Sequence, residues 1–162
     1  MDAKTPRLAT LTLAAAAALL LLPRANEARD KNGKVRLSAS AFEYAKQLIA
    51  EGHVVNDTKG GWGIDQPSAK DENEFIRVQG FAEYAKWHLG INERYGENAK
   101  ARYKFPYGDF KNVHRSGLLA VRNRARQFGY SDIDLAASEL LNEISTKKSS
   151  EEIKLMAPYP TH

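Results

Sequence analysis

The chain has no cysteine among its 162 residues. Disulfides, thiolate metal sites and cysteine nucleophiles are therefore excluded, and the fold must hold by packing and polar pairing alone. There are only 4 histidines, and no pair of them stands at the HxH, HxxxH or HExxH spacing that metal centres use. The spacing thus gives no metal ligand set. The glycine-rich stretch Gly60-Gly61-Trp62-Gly63 lacks the Lys-Ser/Thr of a phosphate loop and the strand-to-helix setting of a dinucleotide fingerprint. It reads as a turn whose Trp62 packs back on the domain.

Acid is scarce where base is dense. Between residues 98 and 130 stand Lys100, Arg102, Lys104, Lys111, Arg115, Arg122, Arg124 and Arg126, against the single acid Asp109. The whole chain carries only +4, so the rest is net acidic. A local cationic patch follows, and that is a firmer statement than a basic protein.

A long apolar run is also missing. The one candidate, residues 8–22, is shorter than the roughly 20 residues that a spanning helix needs. Lys4 and Arg7 precede it and Pro23 ends it, which is the layout of a secretory signal. Neither Ala25 nor Ala28 completes a small-x-small cleavage pattern. The leader predicts a periplasmic or secreted protein, tethered to the membrane through residues 8–22 if it is not cleaved; the alternative is a cytoplasmic chain.

The organisation expected is a signal-like leader at 1–28, a linker at 29–37, a globular domain at 38–146 and a flexible tail at 147–162. A first helix carries Ser40 and Glu43 at capping-box spacing, with Phe42, Ala45, Leu48 and Ile49 on one face and Gly52 as its stop. Residues 53–55 suit a short strand. A second helix runs from Ser68, with Asp71 at capping-box spacing, to Gly80. Residues 81–91 are compatible with a helix as well, but alternation, dense aromatics and the closing Gly90 favour a strand, with Ala85, Trp87 and Leu89 on one side and Tyr84, Lys86 and His88 on the other. Tyr103-Lys104-Phe105 would pair with it before the turn at Pro106 and Gly108. A third helix spans 112–128 and stops at Gly129. A fourth begins at Ser131, with Ile133, Leu135, Ala136, Leu140, Leu141 and Ile144 on its apolar face. The fold class is α+β, a mostly helical single domain with a small two-stranded element near Lys86 and Lys104.

Placed on a helix, residues 112–128 divide into two faces at 100° per residue. Val113, Gly117, Leu118, Val121, Ala125 and Phe128 form the buried one. Lys111, Arg115, Arg122 and Arg126 form a basic stripe on the opposite flank. His114 and Arg124 fall inside the apolar arc as a buried polar pair that needs partners, with Asp109, Glu83 or a backbone carbonyl as candidates. Asp109, His114 and Ser116 suggest a triad, but two residues on one helix separated by one position lie about 200° apart and cannot touch.

The function expected is a non-enzymatic binding module with no catalytic residue, metal or cofactor. Its surface is Tyr103, Lys104, Tyr107, Lys111, Arg115, Arg122 and Arg126, with the aromatic rings read as packing elements of the turn. The partner is anionic: an acidic protein surface, an envelope polymer or nucleic acid. A cytoplasmic nucleic-acid-binding protein is the alternative. A small hydrolase or metal-dependent enzyme using His88, His114 and Asp109 is the second alternative.

The segments YAKWHLGI and KARYKFPYGDFKNVHRSGLLA resemble a family of short bacterial proteins over residues 31–144. A looser pattern is similar to accessory segments of phage head-maturation proteases. The resemblance implies no activity, cofactor or catalytic residue. Family members often carry cysteine where this chain has Ser116, which implies that Ser116 is not a nucleophile. They often begin near the KNGKVRL segment, which speaks for the cytoplasmic alternative.

Overall fold

The computed structural model describes residues 35–58 and 60–156. The leader, the first part of the linker and the last residues of the tail lie outside this range. Among the described residues, no helix is long and apolar enough to cross a membrane.

The fold is α+β, as expected. Strand β1 (Arg36–Leu37) enters helix α1 (Ala39–Glu51) directly. The cap is Ser38, two residues ahead of the expected Ser40 box: its side chain accepts from the Ala41 N–H, while its own N–H donates to the Leu89 carbonyl at 2.8 Å. The residue that ends the strand ladder therefore also opens the helix. Gly52 adopts the left-handed conformation (φ 91°) and ends α1, as predicted. Strand β2 (Val54–Val55) follows, then the single turn α2 (Trp62–Asp65).

Helix α3 (Ala69–Ala85) starts with the Ser68/Asp71 capping box read from the sequence. Gly80 breaks it (φ 83°, ψ 171°), but the chain resumes helix to Ala85 rather than becoming a strand. Strand β3 is confined to His88–Ile91. Tyr84, Trp87, His88 and Leu89 are all buried, so the expected two-sided alternation fails. Covered on both faces, this segment has no polar side to read.

Strand β4 (Tyr103–Pro106) pairs antiparallel with β3, Gly90 opposite Lys104. The expected two-stranded element is thus present. It gains a third strand, because β1 from the supposed linker pairs with the other edge of β3, Leu37 opposite Gly90. The Leu37 N–H also donates to Asp132 at 2.9 Å. A second, parallel pair joins β2 to β5 (Val113–His114), with Val55 opposite His114.

Helix α4 (Arg115–Phe128) ends at left-handed Gly129 and packs along α5 (Ser131–Met156), which also carries α1. Leu118, Ile133, Ala137 and Leu140 are fully enclosed between them. Leu135, expected on the apolar face of α5, is 70% exposed. Helix α5 continues well into the segment read as a flexible tail. Lys147 fixes it by donating to the Ile49 and Ala50 carbonyls at the C-terminus of α1, at 2.8 and 2.7 Å, where a cation meets last-turn carbonyls and the negative helix end.

Candidate functional site: the His114 cluster and the groove beside it

His114 closes β5 and is the residue before the first turn of α4, not a member of the helix. That placement removes the geometry behind the expected His114/Arg124 pair. His114 is buried, whereas Arg124 is exposed, its guanidinium lying 4.9 Å from the centre of the Phe128 ring. Phe128 is itself 49% exposed rather than buried.

The parallel register of β2 and β5, extended two residues, sets Asp57 opposite Ser116. Asp57 takes the Ser116 N–H at 2.6 Å, the Ser116 hydroxyl, and His114 Nδ1 at 2.9 Å. His114 has no capping side-chain bond to the helix that it precedes. Asp57 supplies that cap from a distant loop, and its charge complements the helix N-terminus. On the other side of the ring, Nε2 lies 3.3 Å from an Asp109 carboxylate oxygen, too poorly aligned for a hydrogen bond. Asp109 is held in its own turn by the N–H groups of Lys111 and Asn112. His114 and Ser116 do not bond to each other, as expected; they meet on Asp57.

The donor atoms of Asp57, Asp65 and His114 fall within 4.8 Å of one another, a group able to hold a cation. Asp57 already receives three hydrogen bonds there, and the cation would have to displace the proton on Nδ1. Trp62 covers the cluster, tilted against His114 at 5.6 Å between ring centres. Its ring rests on Gly117, where a Cβ would come within 3.1 Å of Trp62 and 2.8 Å of the Tyr107 carbonyl. Neither His114 nor Ser116 lines the cavity bounded by Trp62, Phe105 and Val121.

His88 is not part of this cluster. Its ring packs on Tyr84 at 4.3 Å, and Nδ1 donates to the Tyr84 carbonyl at 2.9 Å. Of the trio His88, His114 and Asp109, only the last two meet.

The expected binding surface divides similarly. Tyr107 is fully buried and donates its hydroxyl to the Lys86 carbonyl at 2.6 Å; Tyr103 is buried and donates to the Glu97 carbonyl at 2.6 Å. Both leave the surface because each hydroxyl serves a backbone acceptor inside the fold. Arg126 is exposed but paired with Asp134 at 2.9 Å. Lys104, Lys111, Arg115 and Arg122 remain, none in an ion pair among the described residues. Arg122 keeps a buried Nε without a hydrogen-bond partner.

A groove of about 470 Å³ runs between β4 and the C-terminal half of α4. Trp62, Phe105, Pro106, Val121 and Phe128 give it apolar walls, and Lys104 and Arg124 are its only charged lining residues among the described residues. Sequence reading missed both Asp57 and this groove. Trp62 among glycines was the available signal.

No protein-family model, curated protein or solved structure matches the chain.

The two buried histidines respond to pH in opposite senses. Burial holds His88 neutral and lowers its pKa to about 4. An unfolded histidine takes up its proton near 6.5, so this contribution is present above that pH and lost as pH falls toward 4, by about 3 kcal/mol. Burial also opposes the charge on His114, but Asp57 and Asp109 outweigh it and raise the pKa. Its contribution is present below the unfolded value and lost as pH rises through the folded one. Burial likewise works against charge on Asp57 and Asp109, but their hydrogen bonds prevail and hold both pKa values below the ordinary carboxylate range. Their contribution is present above that range and lost as pH falls through the folded values. Urea unfolding at stepped pH should show His88→Gln flattening the loss between 6.5 and 4, and His114→Gln flattening the decline at higher pH. An unchanged acid limb in His88→Gln would refute the first assignment.

Proposed function

We propose that the protein is a binding module whose cationic face engages an acidic protein surface. The observation that carries this reading is the set of unneutralised cations Lys104, Lys111, Arg115 and Arg122. Many other cations sit against acids, as in Arg36–Glu93, Arg77–Glu74, Lys86–Glu83 and Lys100–Glu72, while Lys70, Arg94, Arg102 and Arg124 are also without an ion pair among the described residues. Unpaired cations keep their full field for a partner, and so steer its approach and favour its charge. Burial of Tyr103 and Tyr107 removes the two rings that would have served as base-stacking platforms beside them. That favours an acidic protein over single-stranded nucleic acid.

Poly-L-glutamate and a single-stranded oligonucleotide of matched charge serve as probes, read by fluorescence anisotropy across a salt series. Poly-L-glutamate should bind with salt-dependent affinity, and the triple variant Lys111→Ala/Arg115→Ala/Arg122→Ala should lose at least about tenfold. Equal affinity in wild type and variant would reject the reading. Clear preference for the oligonucleotide would replace it with nucleic-acid binding.

A further inference from the structure

We propose that the groove between β4 and α4 is a separate site for a small amphipathic organic anion. Its apolar body would lie against Trp62 and Phe105, and its carboxylate or sulfonate between Lys104 and Arg124. This goes beyond the acidic-partner reading and shares only Lys104 with the surface described above.

The volume, about 470 Å³, falls in the range of roughly 300–1,000 Å³ usual for small-molecule sites. Such sites combine apolar walls with a few placed polar groups, and that is the composition here. No carboxylate lines the groove, and neither Lys104 nor Arg124 has an ion pair among the described residues. Charge complementarity therefore calls for an anion. The apolar walls call for a ligand that is more than a bare phosphate.

The wall itself is held in a costly shape. Phe105 has φ 62°, a left-handed conformation that residues with a Cβ rarely adopt. Its ring is accommodated because residue 90 is glycine: a Cβ there would lie 2.6 Å from the Phe105 ring and 2.9 Å from Val35. Tyr130 meets the same ring edge-on, with centres 5.6 Å apart. Strained backbone that the surroundings enforce tends to cluster at ligand clamps. Here it forms one side of the groove. On the other rim, Arg124 lies over the Phe128 ring at 4.9 Å. This contact keeps the guanidinium at the mouth without neutralising it.

The test uses 1-anilinonaphthalene-8-sulfonate, an apolar anion whose fluorescence rises on binding, and its uncharged relative N-phenyl-1-naphthylamine. Wild type should bind the sulfonate at one site. Lys104→Ala/Arg124→Ala should weaken it by about tenfold or more while leaving the neutral probe within about twofold. Ala120→Trp, which fills the groove, should remove both probes. Phe128→Ala, at a half-exposed rim position that does not threaten folding, should weaken both. No sulfonate binding, or binding indifferent to all three variants, would overturn the proposal. Poly-L-glutamate affinity should survive Ala120→Trp, so failure here is distinguishable from failure of the acidic-partner reading.

Discussion

Replacing Asp57 by alanine should lower the stability of the fold by about 3–5 kcal/mol, the range seen when one member of a buried ionic cluster is removed. Three donors lose their acceptor at once: the Ser116 N–H, the Ser116 hydroxyl and His114 Nδ1. Ser116 and His114 are both buried, so water cannot replace the carboxylate without opening the loop. The first turn of α4 also loses the side chain that caps it. The buried His114 ring would keep only the poorly aligned Asp109 contact at 3.3 Å and the longer one to Asp65 at 4.0 Å. An asparagine side chain at this position retains a cap oxygen but not the charge, so Asp57→Asn should cost about half as much. Thermal unfolding should move down by more than about 10 °C in the alanine variant. A change below about 1 kcal/mol in urea unfolding would show that the cluster contributes nothing net.

Gly108→Ala should be comparably damaging, at about 3 kcal/mol. A Cβ at residue 108 would come within 2.4 Å of the Asn112 carbonyl and 2.6 Å of the Trp87 ring. The Asn112 carbonyl cannot withdraw easily. It accepts from the Asp109 N–H, while Asp109 in turn accepts from the Lys111 and Asn112 N–H groups. Relief of the clash would therefore open the turn that presents Asp109 to His114. Urea unfolding and the near-ultraviolet signal of Trp87 should both report the change. Trp87→Phe in the Gly108→Ala background should recover only part of the loss, because the backbone obstacle remains. Full recovery would mean that the indole, not the turn, is the constraint.

Much of the helical framework was legible in advance because its signals are local. The Ser68/Asp71 box, the stops at Gly52 and Gly129, and the apolar face of α5 each depend on residues within a turn of one another. The pairing of β3 with β4 was also readable, since two short apolar segments flank a turn. The strand at β1 was hidden by its polar setting, and its existence depends on the far edge of β3 and on Asp132. The boundary at Asn112 was misplaced for a related reason. Val113 and His114 fit the helical pattern of α4, but the parallel bond to β2 holds them extended.

That same parallel pair decides the His114 cluster. Periodicity placed His114 and Arg124 together in an apolar arc; pairing with β2 instead brings Asp57 beside Ser116 across a long sequence separation. No local pattern encodes a register between strands that far apart. Composition and spacing alone determined the absence of thiol chemistry, the helical framework and the concentration of positive charge after residue 98. Tertiary structure decided which of those charges stay unpaired, which aromatics are core, and where a groove opens. The reason is physical: helix caps and charge runs are short-range properties of the chain, whereas burial and ion pairing depend on which distant segments meet.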